Sequence, residues 1–75
     1  MASDFPDHPP GIGVFRPTEP VRFDGDHTSN WNMAIKDALD NFGRAPGLYR
    51  ADLVLTATVS VTNPGSVVEY IAKFI

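Results

Sequence analysis

Cysteine is absent from these 75 residues, which excludes a disulfide framework and any thiolate-based zinc site. Histidine occurs only as His8 and His27, and neither stands in a spacing that pairs a base with a nucleophile. Positive charge is sparse: Arg16, Arg22, Lys36, Arg44, Arg50 and Lys73 are scattered, and the net charge is −3. Without a basic stripe to neutralise phosphates, nucleic-acid binding is not expected. No apolar run approaches the roughly 18 residues of a membrane span, so no membrane association is expected. Asp4, Pro6 and Asp7 stand where a secretory signal would carry positive charge and an apolar stretch. Cytoplasmic localisation is the default expectation.

A chain this short makes one domain and buries only about 60 % of the surface its unfolded form exposes. Small scaffolds offset so thin a core with disulfides, a structural metal or a partner subunit. With the first two excluded, self-association is the remedy left, and a homo-oligomer is expected.

What is present is organised in two parts. Five of the seven prolines precede Val21 (Pro6, Pro9, Pro10, Pro17 and Pro20). Proline removes amide donors and fixes φ, so residues 1–20 are expected as an extended arm outside any central strand, with Ile12, Val14 and Phe15 as anchors. Residues 21–75 form the domain. Val21-Arg22-Phe23 reads as a short strand ended by the turn signal Asp24-Gly25. Thr28 or Ser29 then caps a helix whose apolar stripe is Trp31, Ala34, Ile35, Ala38, Leu39 and Phe42, at offsets of three, four, seven, eight and eleven. Gly43 suits the left-handed closing residue, and Pro46 prevents continuation.

Tyr49 to Ile75 reads as one hairpin about Asn63-Pro64-Gly65-Ser66. The odd positions of the first arm are apolar from Tyr49 to Val61; Val68, Tyr70, Ala72 and Phe74 hold the even positions of the second. A pairing with Val61 opposite Val68, Val59 opposite Tyr70, Ala57 opposite Ala72 and Leu55 opposite Phe74 places both sets on one face. Pro64-Gly65 suits the centre of a type II turn. Tyr49 to Leu53 then project beyond the end of the second arm. Val67, Ile71 and Ile75 make its other face partly apolar, which suggests that this side meets another copy of the chain. The expected class is α+β: a βαββ domain with a three-stranded antiparallel sheet packed on one amphipathic helix, preceded by the Pro-rich arm.

Chemistry-bearing patterns are few. Asp24, Asp26, Thr28 and Asn30 offer oxygens at alternating positions, as a calcium loop does, but Ser29 and Ile35 stand where that loop needs glycine and a bidentate glutamate. Turn and cap chemistry accounts for them, and no metal site is expected. Gly11 and Gly13 lie among prolines, without the strand-to-helix setting of a phosphate loop. Catalysis through His27 lacks a positioned nucleophile; the residue reads as a solvated one just before the helix, and no enzyme activity is expected. Tyr49, at the start of the long arm, is the aromatic placed to stack on a flat ligand or a symmetry mate; its ordinary role is an edge-of-core tyrosine with a wet hydroxyl.

The Thr28-Ser29 cap, Ala34-Ile35-Lys36-Asp37-Ala38-Leu39, Leu48-Tyr49 entering a strand, and Tyr70 to Phe74 resemble the dodecins, small βαββ proteins that assemble into hollow shells and commonly store flavin. The similarity covers about two thirds of the chain. It implies self-assembly without enzymatic activity, and storage or sequestration of a flat aromatic small molecule such as flavin. In that family a tryptophan near the start of the long strand stacks on the flavin, and Tyr49 stands there in this chain. The family's glutamine on the last strand would fall near Tyr70 or Ile71, and this sequence contains no glutamine. The alternative is a protein–protein interaction module using the N-terminal arm or an exposed strand edge.

Overall fold

The computed structural model describes residues 11–75. It is a small α+β domain with one helix and an open antiparallel sheet of four strands, in the order β1 (Gly11–Phe15), β2 (Val21–Arg22), α1 (Thr28–Asp40), β3 (Leu53–Ser60) and β4 (Ser66–Phe74). No helix among the described residues is long and apolar enough to cross a membrane.

All three other strands pair with β4. A strand has two edges, and β3 occupies one of them along its length. β1 and β2 therefore lie end to end on the other, with Phe15 opposite Tyr70 and Val21 opposite Val67. This corrects the expected three-stranded count: the first row of the sheet is two strands. Gly11–Phe15 falls within the stretch read as an extended arm, but it is a proline-free window whose amides remain free to pair. Pro17 and Pro20 occupy the break between β1 and β2. Residues 1–10 of that arm lie outside the described residues.

The hairpin forms with its register shifted; its faces are as expected from Leu53 to Val59 and from Tyr70 to Phe74, but not at the turn end, where Val61 lies outside the strands and Val67 and Val68 exchange faces. Leu53 sits opposite Phe74, Leu55 opposite Ala72 and Ala57 opposite Tyr70, two residues from the expected pairing. A shift of two keeps every side chain on its own face. The ladder continues one residue further, with Asp52 N–H donating to Ile75 O at 2.8 Å and Ile75 N–H to Asp52 O at 3.0 Å. The overhang is accordingly Tyr49–Ala51 rather than Tyr49–Leu53. The turn is not type II, because Asn63–Pro64 is cis and Gly65 lacks a positive φ. A bulge between Thr58 and Val59 sets two β4 residues against one of β3, so Val59 faces Val67, where the two-residue slip alone would have given Val68. Beyond it Val67, not Val68, is the buried residue.

The helix lies over β1 and β4 and makes no contact with β3. Its position follows from Gly11 and Gly13, both buried on the inner face of β1. A Cβ on Gly11 would stand 2.6 Å from Ala38 O, and one on Gly13 would run into the backbone of Ala34 and Ala38. Two side-chain-free positions thus let the helix backbone settle on the edge row, with Ala34 and Ala38 fully buried between them. The core is completed by Tyr70, Ala72 and Val67, with Phe15, Trp31, Ile35 and Phe74 packed around it. Gly43 closes the helix region at φ +75°. Thr28 is the first helical residue rather than the cap, and its amide donates to Asp26 Oδ1 at 2.9 Å. That bond and the Thr28 hydroxyl hold the Asp26 carboxyl below the usual carboxylate range.

Candidate functional site

One helix covers two rows of this sheet and leaves the third bare. Along β3, Leu53, Leu55 and Val59 are 44 %, 46 % and 56 % exposed on the helix side, although nothing in their chemistry favours water. Leu39, expected in the buried stripe, is also exposed and lines the depression at the end of the helix.

Where the end of the helix meets the start of β3, the connection 41–52 shapes an open depression of about 270 Å³. Phe42, Tyr49 and Phe74 supply aromatic walls, and Leu39, Leu48 and Ala51 the aliphatic ones. Phe42 is the hinge of the cluster. It stands edge-on to Tyr49 at 5.5 Å between ring centroids and edge-on to Phe74 at 5.9 Å. The Tyr49 hydroxyl donates to Ala45 O at 2.6 Å, which fixes the ring across the short connection made by Pro46 and Gly47. Tyr49 thus presents a held, half-exposed ring, and its hydroxyl is bonded rather than only wet. The lining carries no carboxylate, imidazole or amine. Its chemistry is that of a flat apolar contact.

His27 is placed differently from expectation. It is half-buried, not solvated: Nε2–H donates to Phe23 O at 2.9 Å, and Nδ1 takes the hydroxyl of the fully buried Tyr70. Trp31 packs edge-on to Tyr70 at 5.0 Å. Sequence spacing could not have joined residues 43 apart. The oxygens of the calcium-like segment are engaged locally, Asp24 with Arg22 and Asp26 with Thr28. Among the described residues no group of three or more His, Asp or Glu side chains could hold a metal.

On the outer face Glu69 ties three rows together. Arg16 Nε donates to Glu69 Oε2 at 2.6 Å and Thr58 Oγ1 to Oε1 at 2.9 Å. The Thr58 hydroxyl, then Arg16, holds the Glu69 carboxyl below its usual range.

Compared with known proteins, the chain is matched by no family model, no curated protein and no solved structure.

Proposed function

We propose that this chain is a non-enzymatic, self-assembling small protein of dodecin-like design that holds a flat aromatic small molecule, such as flavin, against Tyr49 where subunits meet. The end-to-end placement of β1 and β2 on one edge of β4 supports this reading, since together they would fill the row of a single first strand. The observation that carries it is the bare apolar flank of β3 running into the aromatic depression at Tyr49. A depression of about 270 Å³ falls below the roughly 300–1,000 Å³ of sites that enclose a drug-sized ligand. A second subunit closing over it supplies the missing wall. The lack of glutamine argues that stacking, not side-chain amide bonding, would hold the ligand.

The test combines native mass by light scattering with titration of riboflavin fluorescence. The expected result is a mass several times 8.2 kDa and quenched flavin, with Tyr49→Ala weakening binding about tenfold through loss of the aromatic contact. Assembly without quenching would remove the ligand and keep the assembly. A second reading, an interaction module for another protein, is favoured by the open edge of β3. It predicts that the purified protein is no larger than a monomer or dimer at micromolar concentration.

A further inference from the structure

The two edges of the sheet are treated differently. On β1, two of the groups facing away from β4 are taken by side chains of the helix and its C-cap: Val14 N–H donates to Asp37 Oδ2 at 3.0 Å, and Asn41 Nδ2 donates to Ile12 O at 2.8 Å. That edge is partly covered. On β3, the paired bonds between Asp52 and Ile75 fix the alternation of the ladder. Asp52, Val54, Thr56 and Thr58 direct their backbone groups to β4, whereas Leu53, Leu55 and Ala57 direct theirs outward. Natural sheets blunt such an edge with lysine, proline or an inward-pointing charge. Here the sixteen residues from Leu53 to Val68 contain no charged side chain and one proline, in the turn.

We propose that the free edge of β3 pairs with β3 of a second copy, antiparallel and about a two-fold axis at Thr56. This inference rests on the self-assembly reading above and names its seam. With Thr56 opposite the partner's Thr56, Leu55 meets the partner's Ala57 and Leu53 meets the partner's Val59. Large residues face small or branched ones, and the apolar side chains at odd positions, Leu53, Leu55, Ala57 and Val59, stay on the inner face, while Val54 lies on the outer one. The outward backbone groups of Leu53, Leu55, Ala57 and Val59 fall opposite one another, which supplies roughly eight inter-chain hydrogen bonds. The nearest charge, Asp52, falls opposite the partner's Ser60, so two copies with net charge −3 meet along a neutral strip. A two-fold axis requires one surface to be complementary to itself, and this strand meets that condition.

Absence of native cysteine makes the register directly readable. Thr56→Cys places two thiols at a non-hydrogen-bonded pair with Cα atoms about 4.5 Å apart, within disulfide reach. Val54→Cys places its two copies four residues out of register. Mild oxidation is expected to give a covalent dimer from T56C and none from V54C. Two edge variants complement it. Leu55→Pro removes an outward N–H that β4 does not use, and Ala57→Lys sets a charge at the exposed seam. Both are expected to lower the native mass while circular dichroism stays native; if L55P unfolds, A57K alone decides. An assembly of unchanged mass in the edge variants, with no T56C dimer, overturns the β3 seam and leaves self-assembly standing. A monomeric wild-type protein overturns both.

Discussion

Gly13 sits where the helix backbone presses hardest on the sheet. Its missing side chain is replaced by the peptide groups of Ala34, Asp37 and Ala38, which are backbone atoms and cannot swing aside. Gly13→Ala must therefore lift the helix, opening the contacts of Ala34 and Ala38 with the sheet. A loss of about 2–4 kcal/mol is expected, measured by urea unfolding. Gly47→Ala, whose nearest neighbours are the far atoms of the Tyr49 ring at 3.7 Å, is the control and should cost far less. Tyr70 shows the same dependence on a single neighbour. It is the only large side chain fully buried among the described residues, and its hydroxyl relies on His27. Neither dependence is visible in the sequence, because each joins residues from different elements through one close approach.

At the level of elements, periodicity was a reliable guide and register was not. The helix and the inward faces of β3 and of β4 from Tyr70 onward follow from apolar spacing, which burial enforces, whereas the bulge reverses Val67 and Val68. Register depends on the turn, and five residues, Val61–Gly65, link the two strands where a tight turn about Pro64-Gly65 was expected. The pairing slipped by two, the smallest shift that preserves the faces. β1 was hidden for another reason: two of its three inner positions are glycines, so only Phe15 marks the side that the helix covers. Tyr49 was legible as an aromatic at the mouth of the long strand, but its partners Phe42 and Phe74 come from other elements. The Arg16–Glu69–Thr58 staple belongs to this scale because it joins the β1–β2 loop, β4 and β3. The carboxyl of Glu69 is depressed in the folded chain, so its contribution is present above the unfolded value of about 4.3 and is lost as pH falls through the folded value. Glu69→Gln should accordingly be less stable than the parent at pH 7. The two unfolding midpoints should converge in acid, below the ordinary range of glutamate. A gap that persists at low pH would assign the difference to packing instead of charge.

Across the whole molecule, one helix is asked to cover three rows of sheet and is displaced to the edge by two glycines. Six apolar residues are buried among the described ones, while Leu48, Val61 and most of β3 face water. Such a ratio leaves the isolated chain close to its stability limit, since a domain of this size holds little in reserve. Edge pairing through β3 would unite two sheets and bring the two bare inner flanks side by side, a strip about two strand spacings wide, or roughly 10 Å. In such a dimer that strip would be floored by Leu53, Leu55, Ala57 and Val59 of both copies and flanked by their two helices. Folding is then linked to association, and the thermal midpoint must depend on concentration. For a dimer, a hundredfold rise in protein concentration favours the native state by about 2.7 kcal/mol per pair of chains. Shared between two chains of this length, that amounts to an upward shift on the order of 5–10 °C. Calorimetry across that range measures it, and the A57K variant should show a lower and flatter midpoint. A midpoint indifferent to concentration in the parent chain would mean that the sheet stands alone despite its bare flank.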